Sequence, residues 1–185
     1  LHRDTPNWRM LNTCPACFYK LKDEPALKFS LLCEMDGNNS LKRTDASLRS
    51  GEERMDLRMA RSDYWLSPEE VDIFKDEVKS RSKKNSEQDD AVDDYGHLLD
   101  SDPVVVCLKR WRNAGPEERK RMFTMFVESG LFLVACRHGF VLLMCDMIRS
   151  GELAKYPLAI VNKLLEVYGP NISCGYDIGC AFSIT

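Results

Sequence analysis

LKFSLLCEMDGNN, residues 27–39, is the stretch whose reading decides the fold. Leu27, Phe29, Leu31, Cys33 and Met35 alternate with Lys28, Ser30 and Glu34, the period of two of a half-buried strand, and Leu32 joins the more polar face. Asp36 falls on that polar face as well. Asp36-Gly37-Asn38-Asn39 then gathers residues that tolerate positive φ, which predicts a turn and a return strand over Ser40 to Arg43. An aspartate before a glycine at a strand end often serves only the turn. Its carboxylate gains chemical meaning if a second acid arrives beside it.

A second aspartate stands in the same position near the other end of the chain. ISCGYDIG, residues 172–179, alternates Ile172, Cys174, Tyr176 and Ile178 on one face with Ser173, Gly175 and Asp177 on the other. Before it, Pro157 to Val167 reads as a helix with a stripe of Leu158, Val161, Leu164 and Leu165, punctuated by Pro in its first turn and by Gly169-Pro170 after its end. LFLVAC and GFVLLMC read as strand material on either side of Arg137-His138. Strand, helix and strand in succession predict a parallel crossover, and with the residue 27–43 hairpin an α/β sheet.

The middle of the chain reads as an insertion at about 44–128. Ser67-Pro68-Glu69-Glu70 is a helix start, with Pro at the first helical position and a capping box of Ser67 with Glu70, and VDIFKDEVKSRSKK should continue the helix. Residues 85–102, NSEQDDAVDDYGHLLDSD, are acidic and poor in large apolar side chains, which predicts disorder. Met122, Phe123, Phe126 and Val127 recur at helical spacing and predict a further helix from Pro116 to about Glu128, broken by Gly130.

With 185 residues and 44% hydrophobic content the chain can bury one core. Lys and Arg total 26 against 29 Asp and Glu, so any polyanion site must be a local patch. The start at Leu1 and the stop at Thr185, directly after strand-like sequence, predict a fragment truncated at both ends. LHRDTPNW offers no apolar region of a secretory signal, and Leu131 to Ile148 is interrupted by Arg137, His138 and Asp146, so the expectation is an intracellular chain with no membrane partner. The eight cysteines are scattered through apolar runs, a pattern that favours reduced thiols and metal ligation over a disulfide framework.

Ligands of open α/β sheets bind at the carboxyl ends of the strands. If the strands before Asp36 and Asp177 are neighbours, two carboxylates converge there, the donor type that holds hard divalent cations for phosphoryl chemistry. Cys14-Pro-Ala-Cys17 is half of a zinc knuckle whose missing pair would lie upstream, His2 being the only His nearby. Cys136-Arg137-His138, with Cys107 beside Trp111, is a second thiol and imidazole group, which a buried thiol and a core His explain equally. As a nucleophile pair Cys136 and His138 would lie two apart on one strand face with no third group to orient them, the weak basis of a thiol-dependent hydrolase. Lys109, Arg110, Arg112, Arg119, Lys120 and Arg121 surround Trp111 and are enough for DNA phosphate contacts, although a solvated helix face accounts for each alone.

The runs CPACFYKLKDEPALKFSLLCEMDGNNSLKR, SGLFLVACRHGFVLLMCDMIRSGELAKYPLAIVNKLLEVYG and CGYDIGCAF resemble the transposases of the Kyakuja-Dileera-Zisupton (KDZ) group, found in fungal genomes especially. The resemblance spans roughly residues 14–43 and 107–182 and rests on the combination of MDGN, ACRHG, SGE and YDIGC. It implies an RNase H-like catalytic core with an Asp-Asp-Glu triad, Asp36 as the first acid and Asp177 as the second. The third acid is expected on a helix beyond Thr185, so this chain by itself should not transfer strands. Mg²⁺ or Mn²⁺ is the implied catalytic cofactor, DNA (transposon ends and target) the implied partner, the nucleus the implied location, and homo-oligomers are compatible with it. It also implies that Cys14 and Cys17 belong to a zinc-binding region, residues 1–26, ahead of a truncated core, residues 27–185, and that Cys107, Cys136 and His138 share a structural Zn²⁺. The expected function is therefore metal-dependent DNA strand cleavage and transfer, with a catalytically inactive, domesticated or decayed DNA- or protein-binding module as the alternative.

Overall fold

The computed structural model describes residues 5–45, 63–77 and 126–182. The predicted disorder at 85–102, Cys107, the basic residues from Lys109 to Arg121 and most of the helix from Pro116 lie outside the described residues.

Two short helices open the described chain, α1 (Trp8–Asn12) and α2 (Pro15–Phe18). The first long strand, β1 (Leu31–Asn38), buries Leu31, Cys33 and Met35 and exposes Leu32, Glu34 and Asp36, the alternation its sequence dictates. It begins four residues later than the pattern suggests. Leu27 and Phe29 precede the sheet and are exposed, because no neighbouring strand faces them.

The predicted hairpin is absent. Gly37 and Asn38 continue β1, and β2 (Arg43–Thr44) pairs with β3 (Phe126–Cys136) and not with β1. β1 lies antiparallel along the same edge of β3, Cys33 opposite Cys136 and Asn38 opposite Leu131, while β2 follows opposite Glu128. The chain thus runs on along one edge through an irregular step. Gly130 permits it, since a Cβ there would lie 2.4 Å from the carbonyl oxygen of Asn38. Phe126 to Glu128, expected to close a helix, form the first residues of β3: Glu128 pairs with Arg43 on one side and Ile148 on the other, and sheet pairing overrides the helical spacing.

From β3 a tight turn through Arg137-His138-Gly139 leads into β4 (Val141–Ile148), antiparallel to β3. Outside β4, Tyr64 to Leu66 cover its edge through Leu66 N–H to Met144 O (2.9 Å) and Met144 N–H to Tyr64 O (2.8 Å). The capping box is present at α3 (Pro68–Asp72), Ser67 accepting from the Glu70 amide, but the helix ends at Asp72 and turns follow to Glu77. Val71 is buried and Phe74 half-buried against the core, while Asp72, Ile73 and Lys75 to Glu77 are exposed, too little packing to extend a helix.

β4 connects through α4 (Lys155–Tyr168) to β5 (Ile172–Tyr176), which pairs with β1 in parallel. The order across the sheet is β4-β3-β1-β5, so the parallel crossover expected from the sequence is real but spans two intervening strands. The short α5 (Gly179–Phe182) ends the described chain. The face of α4 turned to the core carries Tyr156, Pro157, Ala159, Ile160 and Leu164, which overlaps the predicted stripe only in part: Leu164 is buried and Val161 packs half-buried against the core, Leu158 is half-buried, and Leu165 is 44% exposed. The large aromatic Tyr156 stacks toward Phe132 and rotates the buried face toward itself. Phe132, Val134, Leu142, Leu143 and Met147 complete the core, which also takes in Met10 and Cys14 from the N-terminal segment. No helix among the described residues is long and apolar enough to cross a membrane.

Candidate metal centres at the two ends of the sheet

At the carboxyl ends of β1 and β5 three acids meet. The parallel register pairs Met35 with Tyr176, and one further step along it sets Asp36 beside Asp177. Glu152, from the loop between β4 and α4, completes the group: one carboxylate oxygen from each of Asp36, Glu152 and Asp177 lies within 4.8 Å of the others. Asp36 and Asp177 are exposed and Glu152 is half-buried.

The sequence builds this end from local devices. Asp36 Oδ1 accepts from the Gly37 amide (2.7 Å) and Asp177 Oδ1 from the Ile178 amide (2.7 Å), which orients both carboxylates. Gly37 leaves room for Glu152, whose Cδ would lie 2.7 Å from a Cβ at that position. The loop carrying Glu152 is held by hydroxyls. Tyr156 Oη accepts from the Ile148 amide (3.1 Å) and bonds Ser150 Oγ (2.6 Å), and buried Ser129 donates to Met147 O (2.8 Å) and accepts from the Ser150 amide (3.2 Å). Tyr176, edge-on to Phe132 and to Phe182, donates its hydroxyl to Glu152 Oε1 (3.0 Å).

Burial raises the carboxyl pKa of Glu152 above its ordinary value, and the charges of Asp36 and Asp177 push the same way against the Tyr176 and Gly37 hydrogen bonds. Burial and the same carboxylates also raise the Tyr176 phenol. The charges felt here are negative, the condition under which a divalent cation relieves repulsion. Oxygen donors in this number suit Mg²⁺ or Mn²⁺.

The opposite end of the sheet holds soft donors. Cys136 closes β3, His138 sits in the following turn, and Cys14 and Cys17 flank the start of α2. One Sγ or ring nitrogen from each lies within 4.8 Å of the others. His138 Nδ1 is 3.5 Å from Cys14 Sγ and 3.2 Å from Cys17 Sγ. The turn positions its pair by Gly139 N–H to Cys136 O (2.8 Å) and Cys136 N–H to Phe140 O (2.9 Å), and Arg137 N–H to Leu32 O (3.0 Å) ties it to β1. Burial raises the Cys17 thiol to about 12, aided by the neighbouring sulfurs of Cys14 and Cys136. For Cys136 burial also pushes upward, but the backbone amides of His138 and Phe140 and the thiols of Cys14 and Cys17 outweigh it and lower the pKa. Four ligands of these types are the complement of a structural zinc site.

The two cysteine groups that the sequence keeps apart therefore form one cluster. Among the described residues Cys14 and Cys17 meet Cys136 and His138, which makes a set of four donors, and Cys107 lies outside the described residues. Glu152 is the residue sequence reasoning missed. It lies in an irregular loop where no periodicity marks it, and the only signal was its place in the SGE run.

Residues 29–185 match the family described as Kyakuja-Dileera-Zisupton transposase. No curated protein and no solved structure matches the chain.

Proposed function

The chain belongs to the Kyakuja-Dileera-Zisupton transposase family, and from that premise we propose that it carries the acidic site of an RNase H-like core for metal-dependent cleavage and transfer of DNA strands in the nucleus. The observation that carries the reading is the meeting of Asp36 and Asp177 at neighbouring strand ends. The mixed sheet with flanking helices supports the fold, since it delivers acids from a first strand and from a strand reached by crossover to one edge.

Asp36 and Asp177 would hold Mg²⁺ or Mn²⁺, and Glu152 adds a third carboxylate within reach. When bound, such an ion stabilises charge on the attacking and leaving oxygens of an in-line phosphodiester displacement. The chain's own part is to hold the acids. The Gly37 and Ile178 amides fix the aspartates, Tyr176 restrains Glu152, and the exposure of both aspartates leaves the strand ends open to a phosphate backbone. Phosphate contacts from Lys109, Arg110, Arg112, Arg119, Lys120 and Arg121 belong to the same reading.

Mn²⁺-dependent nicking of supercoiled DNA by the full-length protein tests it. Asp177→Asn is expected to lower the nicking rate by ~100-fold or more, since even the groups that orient metal ligands are worth 10–100-fold. An unchanged rate in that variant overturns the proposal, and absence of nicking by the unsubstituted full-length protein favours the inactive binding module.

A further inference from the structure

We propose that Cys14, Cys17, Cys136 and His138 bind a single zinc ion, and that this ion staples the N-terminal segment to the turn between β3 and β4. The proposal stands apart from the acidic site and shares no residue with it.

With zinc–sulfur bonds of about 2.3 Å, zinc–nitrogen bonds of about 2.0 Å and tetrahedral angles, a sulfur and a nitrogen on the same ion lie about 3.5 Å apart. The observed separations of His138 Nδ1 from Cys14 and Cys17 are 3.5 and 3.2 Å. The ligands stand where the ion would hold them.

A neutral imidazole nitrogen either donates one hydrogen or accepts at one lone pair. Two sulfurs around His138 Nδ1 exceed that capacity, and Cys136 crowds the same space. All three cysteines are free thiols, so no disulfide accounts for the convergence. A tetrahedral cation uses every one of these donors at once.

α1 and α2 have five and four residues, too short to persist alone. Phe18 stacks on Tyr168 with ring centroids 5.1 Å apart, and Tyr168 Oη donates to Met10 O (2.8 Å). From Tyr19 to Phe29 no helix or strand forms and nearly every residue is exposed, until the Ser30 amide reaches Asn171 O (2.8 Å). A bond across 121 positions of sequence, from Cys17 to His138, is what would hold such a segment in place. Cys14 is fully buried and Cys136 is 4% exposed, and four protein ligands leave no open coordination position, so the ion has a structural role.

Metal analysis and native mass spectrometry of the purified chain should find one zinc per molecule, and Co²⁺ exchanged into the site should show thiolate-to-cobalt charge-transfer absorption. Cys17→Ser and His138→Ala should each weaken zinc binding ~10-fold or more, whereas His138→Cys, which supplies a fourth thiolate, and Cys107→Ser should retain it. Removing the ion with a chelator should open the 19–29 segment to limited proteolysis. A chain that takes up no zinc when it is supplied, a stoichiometry of two, or loss of the metal in Cys107→Ser overturns the proposal, as does undiminished affinity in His138→Ala. The stoichiometry of the unsubstituted chain decides the matter even if a serine variant fails to fold.

Discussion

The two ends of this sheet present opposite chemistries. Where β1 and β5 finish, three carboxylates converge in a partly solvated setting, and the phenol and amides around them orient the acids without neutralising them. Where β3 finishes, three sulfurs and one imidazole pack together, two of the sulfurs out of solvent. β1 runs between the two ends: Asp36 belongs to the acidic group, and three residues earlier, roughly 10 Å at the rise of a β-strand, Cys33 lies opposite Cys136 of the thiol cluster. Hard oxygen donors left open to water suit an ion that must meet a substrate, and soft donors closed off from water suit one that only fastens the chain.

The comparison breaks if the ends are not separable, and Phe132→Ala is the harshest test. Phe132 is fully buried between Tyr156 and Tyr176, which hold the loop and strand end of the acidic group. Its loss should cost about 3–5 kcal/mol of stability, as truncation of a core phenylalanine does. Mn²⁺ affinity should fall while zinc content holds, measured by denaturant unfolding and metal analysis together. Loss of both metals in step would show one cooperative unit.

A gentler probe acts at one end alone. Gly37→Ala places a methyl group against the Glu152 carboxylate, 2.7 Å from its Cδ, and must displace that side chain. Mn²⁺ binding by calorimetry should weaken ~10-fold, the lower range for a disturbed ligand sphere. Zinc stoichiometry should not change.

The smallest expected effect is in the pH dependence. Glu152 has a carboxyl pKa raised above 4.5, first by burial and then by Asp36 and Asp177, so the folded chain holds that proton more tightly than the unfolded chain does. Its contribution therefore favours the metal-free fold at low pH and is lost as pH rises from 4.5 through the raised folded value. Mn²⁺ needs the ionised form, so affinity should climb across the same window. In Glu152→Gln both trends should flatten in thermal melts and Mn²⁺ titrations, and a slope equal to that of the unsubstituted chain would remove Glu152 from the acidic group.

These contrasts bear on what could be read in the chain beforehand. Asp36 and Asp177 were legible because each lies on or just after a run of period two, the pattern of a strand, although β1 continues two residues past Asp36. Gly37 and Asn38 misled, since their tolerance of a turn is a local preference and pairing of the chain with β3 is a stronger, non-local one. The capping box at Ser67 was legible and correct, while the length of its helix was not, because length depends on packing that the cap does not encode.

The sequence by itself determined the donor types, the Cys14-x-x-Cys17 spacing and the strands that carry the two aspartates, since each follows from spacing over a few residues, while Cys136 and His138 stood as a second half-site grouped with Cys107 and equally open to a buried thiol beside a core His. Only the tertiary structure decided that the two half-sites are one cluster and that Glu152 joins the aspartates. Partners separated by more than a hundred positions are set by strand order and register, and these come from the burial of one shared core and not from any local pattern.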